Sequence, residues 1–417
     1  MAIFAPIPSA SHSTATATKS QVILSMRSPT FFAAAHLSFI ANASRLRPSS
    51  LNLPRRESFA PDARLGDMKH CTWLAVAMSS MAVAQNAGSW KFAISGDSRN
   101  CGDIVMPAIA QGVRQSGAEF YWHLGDFRAI YTFDEDMVPP ARLGLSTKPM
   151  TISQYESAAW PDFLAHQIAP FRDLPVFLSP GNHETIPPAT RGDYLVQFAD
   201  WLDVPLLREQ RLKDDPQDHK LRTYYHWVRG NVDVIALDNA SADQFDAGQL
   251  KWIHSVIDRD ERSDQIRSVV VGMHEALPGS LGDSHSMSES AQGERSGREV
   301  YEVLLHAQNS AHKHVYVFAS HSHFFMEDVF RTDTWKGKVL PGWIVGTAGA
   351  VRYRLPPGVK PSPKALTDVY GFIVATVGVD GSISTSFHQL MLDDLLHANP
   401  DVPEPLVRWC YEQNKQE

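Results

Sequence analysis

Six short apolar runs in this chain are built alike. Each is rich in Val, Ile, Phe or Tyr, and each stops at residues that carry chemistry. KFAIS (91–95) stops at Gly96-Asp97-Ser98-Arg99, EFYWHL (119–124) at Gly125-Asp126, and PVFLSP (175–180) at Gly181-Asn182-His183-Glu184. VDVIAL (232–237) stops at Asp238-Asn239, SVVVGM (268–273) at His274, and VYVFAS (315–320) at His321-Ser322-His323. Runs of this length and composition read as buried strands. Helical spacing of apolar residues predicts helices at 104–117, 154–168, 247–257 and 299–307. Strand and helix in alternation imply an α/β fold with a largely parallel core. Ligands of such folds bind beyond the carboxyl ends of the strands. One Asp at a strand end is often only a helix cap, but a series of polar residues at the same end describes one site. His321 and His323 belong to it together, because residues two apart in an extended chain point to the same side.

The chain has 417 residues, 43% hydrophobic and 20% charged, enough for one large domain or two average ones. Downstream of Phe325 the pattern changes. Residues 343–350 and 370–390 read as antiparallel strands, with Asp380-Gly381 as a hairpin signal, so a second sheet packed on the first is expected. Polar insertions at 127–150, 184–220 and 276–298 read as loops over the site, and 396–417 as a tail or peripheral helix. The net charge of −8 and pI near 6.1 lack the basic surplus of a nucleic-acid binder. The three cysteines, Cys71, Cys101 and Cys410, show no metal-type spacing and suggest no disulfide framework.

The amino-terminal part reads differently. No acidic residue precedes Glu57, and residues 1–67 are expected to be a disordered or non-native extension. Met68 opens a basic start, an apolar stretch and an Ala82-Val83-Ala84 end, the pattern of a secretory signal peptide over 68–84. On this reading residues 85–395 form the functional domain of an exported protein, periplasmic or secreted, with no membrane span in the mature chain.

The strand-end residues Asp97, Asp126, Asn182, His183, His274, His321 and His323 make an oxygen and nitrogen donor set without thiolate. Such a set suits Zn, Mn or Fe better than Cu(I). It exceeds what one tetrahedral ion needs, and it fits two ions sharing a bridging carboxylate. Two-metal sites clamp the attacking and leaving oxygens of an in-line displacement and acidify a bridging water. That chemistry hydrolyses phosphoesters.

The order GD, GD, GNHE, H, H-x-H resembles the calcineurin-like metallophosphoesterase family, to which purple acid phosphatases are related. The resemblance runs from Lys91 to about Leu390. It implies a four-layer α/β sandwich, two mixed β-sheets face to face with helices outside. It also implies two divalent or trivalent transition metal ions and a metal-bound hydroxide as nucleophile toward a small-molecule phosphoester, a monoester before a diester. Asp97 and His323 would hold the first metal, Asp126 would bridge, and Asn182, His274 and His321 would hold the second. His183 would be the general acid toward the leaving oxygen.

The chain departs from the family pattern at three points. Arg99 stands where Asp-x-His is usual, Ala129 where purple acid phosphatases have tyrosine, and Ser320 where a glycine precedes H-x-H. The first metal therefore keeps a water or recruits Tyr131. Arg99 cannot be a ligand, because its guanidinium stays protonated; it reads as a phosphate clamp or an ordinary ion pair. Arg128 is a second phosphate candidate. Glu184 reads as a supporting or salt-bridging group, and Asp283 and His285 as substrate contacts or solvated loop residues. The alternative from another class is a metal-binding protein that has lost turnover.

Overall fold

The computed structural model describes residues 88–146, 149–282 and 285–416. The expected extension, the signal peptide, Cys71 and Asp283 lie outside them. Strands β1 (Trp90–Ser95), β2 (Tyr121–His123) and β3 (Val176–Leu178) lie parallel and side by side. Their register sets Ser95 beside His123 and His123 beside Leu178, so all three strands end at one level. The motifs that follow them must then emerge together.

A second parallel row does the same. Strands β4 (Tyr225–Arg229) and β5 (Val232–Ala236) form a hairpin, and β5, β6 (Ser268–Gly272) and β7 (His314–Ala319) run parallel. Strands β8 (Phe325–Glu327), β9 (Gly342–Val345) and β10 (Ala365–Leu366) extend this sheet. Strands β11 (Tyr370–Val377) and β12 (Ile383–Leu390) join the first one. The result is a five-stranded sheet ordered β12-β11-β1-β2-β3 and a seven-stranded sheet ordered β10-β8-β9-β7-β6-β5-β4, both mixed.

The sheets meet through one apolar layer. Phe92, Ile94, Trp122 and Ile373 of the first pack against Trp227, Val234, Val270, Phe318 and Val345 of the second. Contact is close enough that a Cβ on Gly272 would sit 2.4 Å from Trp122 Cη2. Helices cover the outer faces. Helix Gly102–Ser116 lies on the first sheet with helices Leu392–Ala398 and Glu404–Glu412. Helices Ala247–Arg262 and Ala291–Asn309 lie on the second. Each buries one apolar stripe, as amphipathic helices do. None of the helices among the described residues is long and apolar enough to cross a membrane.

Several expectations change. Strand β9 is antiparallel to β8 but parallel to β7, and residues 346–350 continue as coil. The insertion at 184–220 is mostly helical, with Thr190 capping Arg191–Gln197 and Pro205 opening Pro205–Asp214. Its apolar residues Tyr194, Phe198 and Leu207 are buried, so tertiary burial overrides a polar composition. The helix predicted at 154–168 is α-helical over Ile152–Asp162 and then widens into a π-turn over Phe163–Ile168. The widening follows Pro161, which has no N–H to give the regular ladder. Cys101 and Cys410 form a disulfide across a sequence separation of 309 residues. Its partners are too far apart in sequence for spacing to reveal.

A buried ionic cluster joins β4, β5 and two helices away from the site. His226 Nδ1 lies 2.7 Å from Asp233 Oδ2, and its Nε2 lies 2.5 Å from Asp214. Burial opposes the charge on His226, but Asp233 and Asp214 push its pKa up to about 9. Burial and the Asp233 charge push Asp260 up to about 8. Both groups hold a proton more tightly folded than unfolded. The stability they give is therefore full below their ordinary pKa values and is lost as pH rises through the raised ones. Urea unfolding at pH 6 and pH 9 is expected to show lower stability at pH 9. The loss is expected to be smaller in Asp260→Asn.

Candidate metal centre

Three residues leave their strands with left-handed backbone: Asp97 (φ 62°), Asp126 (φ 59°) and His321 (φ 64°). Such angles are uncommon outside glycine and gather where a side chain must be aimed. The turns after β2 and β3 also touch. A Cβ on Gly125 would meet Gly181 N at 2.3 Å, and one on Gly181 would meet Asp126 Oδ1 at 2.2 Å. Only glycines allow this approach, which is the physical content of the GD and GN pairs.

Glu184 holds the two turns in place. Its carboxylate accepts from the backbone N–H of Gly181 and Asp126, both at 2.8 Å, and of Phe127 at 2.9 Å. It pairs with backbone and not with an arginine or lysine. Burial and the Asp126 charge push its pKa up to about 8, while the three amides act the other way. On the other sheet Asn239 holds the loop of His274. Its Nδ2 donates to Glu275 O at 2.7 Å and its Oδ1 accepts from Glu275 N at 3.1 Å.

The donors meet above these turns. His274 Nδ1 donates to Leu124 O at 2.9 Å, with the Ser320 hydroxyl 3.1 Å away. Its Nε2 faces Asn182 Oδ1 at 3.0 Å, His321 Nδ1 at 3.0 Å and Asp126 Oδ1 at 3.3 Å. Acceptor atoms converging this tightly need a cation or a proton among them. With a proton alone, burial opposes the charge, yet Asp126 and Asp97 push His274 up to about 10. The donor set of Asp126, Asn182, His274 and His321 fits a transition metal ion.

The neighbouring half is different. His323 Nδ1 lies 2.7 Å from Val351 O, which takes its hydrogen. Its Nε2 faces Asp97 Oδ1 at 3.2 Å. Asp97 Oδ2 accepts from His321 N–H at 2.7 Å, while Asp97 Oδ1 and Asp126 Oδ2 are buried without a hydrogen-bond partner. The guanidinium of Arg99 already stands beside them, with Nη2 3.3 Å from His323 Nε2 and Nε 3.6 Å from Asp126 Oδ2.

His183 lies at the mouth. Its N–H donates to Asp126 Oδ1 at 3.1 Å and its Nδ1 to Ala129 O at 2.7 Å. Nε2 therefore accepts from the Tyr131 hydroxyl at 2.9 Å, and the rings stack at 4.6 Å. Burial holds the His183 pKa below the usual histidine value, opposed by Asp126. Tyr131 is 49% exposed and touches His183. The seven strand-end residues and Arg99 thus come together.

Arg128 does not join them. Its side chain is fully buried, pairing with Asp103, Asp136 and Asp162, with Asp134 at 3.7 Å. It is the central cation of a carboxylate cage that orders the 127–136 turn, not a phosphate contact. Ser320, one of the three departures, donates its hydroxyl to Leu124 O at 2.9 Å beside His274, whereas Tyr353 was not singled out by the sequence. The Tyr353 ring lies 4.0 Å from that of His323 and 5.3 Å from that of His285, which itself stands edge-on to His321 at 5.6 Å. Nothing local marks Tyr353, which lies in coil thirty residues after the H-x-H.

No family model matches the sequence, and no curated protein matches it. Among solved structures the chain is similar to a purple acid phosphatase isolated from yellow lupin (Lupinus luteus) seeds, at 17% identity and a TM-score of 0.47, over 74% of this chain and 55% of that one. It thus spans about half the length of that protein. It is also similar to PhoD, at 15% identity and a TM-score of 0.45, over 72% of this chain and 68% of the other. A phosphatase of Mycoplasma pneumoniae matches at 12% identity and a TM-score of 0.34, over 73% and 94%.

Glu184→Gln leaves at least one of three buried amides facing an NH2 group instead of an acceptor. The expected cost is about 1–3 kcal/mol of stability. Weaker retention of a metal ion should accompany it, because Asp126 shifts. Urea unfolding and metal analysis after desalting check both.

Proposed function

We propose that the protein is a metal-dependent phosphoester hydrolase acting on phosphomonoesters. The observation that carries this reading is the convergence of His274 Nε2 with Asn182 Oδ1, His321 Nδ1 and Asp126 Oδ1 at 3.0–3.3 Å, beside a histidine and a guanidinium. When bound there, a metal ion supplies charge for the phosphoryl oxygens and makes a water acidic at neutral pH.

The chain's own residues do the rest. Asp126 turns one oxygen toward each half of the site. Arg99, 18% exposed at its side chain, offers a permanent positive charge and paired N–H donors to a phosphoryl group. A dianionic monoester gains more from that charge than a diester does. His183 would protonate the departing oxygen from Nε2 as its imidazolium, with the Tyr131 hydroxyl turned to accept; burial opposes that form and the Asp126 charge favours it. Water is the nucleophile, so no covalent phosphoenzyme is needed. The two-metal clamp expected from the sequence would add an ion among Asp97, Asp126 and His323. The orphaned oxygens of Asp97 and Asp126 suit it, and the position of Arg99 does not.

Export is part of the same proposal. The Cys101–Cys410 disulfide suits an oxidising compartment and agrees with the signal-like segment at 68–84. Arg99 in front of His323 also favours a second reading, a metal-binding protein with little turnover.

Hydrolysis of p-nitrophenyl phosphate and bis-p-nitrophenyl phosphate after loading with Mn, Zn or Fe tests the proposal. The monoester is expected to turn over faster, and Asp126→Ala to abolish both activities. His183→Ala is expected to cost about 10²-fold or more, with a larger loss for an alkyl ester, whose leaving oxygen depends more on a proton. Retained metal with no turnover would leave the binding-protein reading.

A further inference from the structure

We propose that the Arg99 guanidinium is a resident cation standing where a first metal ion would be, so that the site takes one exchangeable metal ion and not two. This deepens the metal-dependent reading above and rests on it.

The first reason is lone-pair bookkeeping. His323 Nδ1 donates its hydrogen to Val351 O, so Nε2 has a single lone pair for its other neighbours. Arg99 Nη2 already approaches that lone pair at 3.3 Å. A metal ion needs the same lone pair, and the two cannot share it. Asp126 Oδ2 is the other atom that a first ion would take, and Arg99 Nε lies 3.6 Å from it. The guanidinium therefore spans the histidine and the bridging carboxylate.

The second reason is that the backbone of Arg99 is fixed and its side chain is largely buried. Arg99 N–H donates to Asp126 O at 3.2 Å, and Arg99 O accepts from Cys101 N–H at 2.9 Å. Cys101 is in turn joined covalently to Cys410. Tyr353 lies against His323, and its hydroxyl interacts with the same guanidinium. The N–H and carbonyl bonds fix the backbone from which the side chain starts, and the side chain itself is only 18% exposed, against His323 and Asp126.

The third reason is charge. Arginine does not lose its proton in proteins, so this cation is permanent. An ion at the Asp97–His323 position would have to sit against it. The other half of the site shows no such obstacle. There Asn182 Oδ1, His321 Nδ1 and Asp126 Oδ1 face His274 Nε2 with no arginine or lysine group inserted among them.

The test uses the full chain loaded with excess Mn(II) and desalted. Metal per chain is read by mass spectrometry, and ion coupling by electron paramagnetic resonance. Wild type is expected to hold one ion per chain with the six-line spectrum of isolated Mn(II). His274→Ala is expected to lose that ion, and His323→Ala to keep it. Arg99→His, which removes the guanidinium and adds a ligand, is expected to hold two ions with an exchange-coupled spectrum. Two coupled ions in wild type would overturn the proposal and leave the hydrolase reading intact. No ion in wild type would overturn both. One ion in folded Arg99→His and in folded Arg99→Ala would also overturn it, since something else would then exclude the second ion. Should neither variant fold, His323→Ala still decides, because loss of the ion there places the metal in the wrong half.

Discussion

Three amide hydrogens ending on one buried carboxylate fix the geometry on which everything else rests. Glu184 collects the N–H groups of Gly181, Asp126 and Phe127, and so fastens the turn after one strand to the turn after its neighbour. A buried carboxylate is costly unless its oxygens are satisfied, and here they are satisfied wholly by backbone. The fastening brings Asn182, His183 and Asp126 within reach of one another without relying on flexible side-chain pairing. The two glycines permit the contact, Glu184 makes it stable, and the left-handed turn at Asp126 aims the result.

The second sheet approaches this fixed edge from across the apolar layer. Its strands end level with each other, and His274 and His321 extend from those ends over the same edge. The donor set is thus shared between two sheets that touch mainly through aromatic and β-branched side chains. Packing in that layer sets the spacing of the donors. Trp122 wedged against Gly272 is as relevant to the site as any polar contact, although neither residue carries chemistry.

The strand-end residues were legible in the sequence because strand and motif were contiguous. Asp97, Asp126, His183 and His321 each follow an apolar run, and a parallel arrangement leaves them one place to go. The α/β sandwich was legible for the same reason. Residues whose roles depend on distant partners were hidden. Arg128 sits two residues from Asp126, yet its charge is taken up by four carboxylates brought in from 103, 134, 136 and 162. Tyr353 and the disulfide are likewise products of tertiary assembly. Helices in the 184–220 insertion were hidden by their polar composition, since only a few buried side chains hold each of them. Arg99 was legible as a departure from a pattern, but only the distances to His323 and Asp126 show what the departure does.

Strand β1, near the start of the described chain, takes one neighbour from β2 and the other from β11, whose residues Tyr370–Val377 are made almost three hundred positions later. The loop after β1 carries Asp97 and Arg99, and it is tied further on to Cys410. During synthesis β1 therefore has its second neighbour only once the carboxyl-terminal strands are made. A fragment ending before Cys410 has made every donor residue, yet it lacks the covalent tie on the loop that bears Asp97 and Arg99. A chain clipped before Cys410 therefore keeps the donor residues and loses the covalent constraint on the loop beside them.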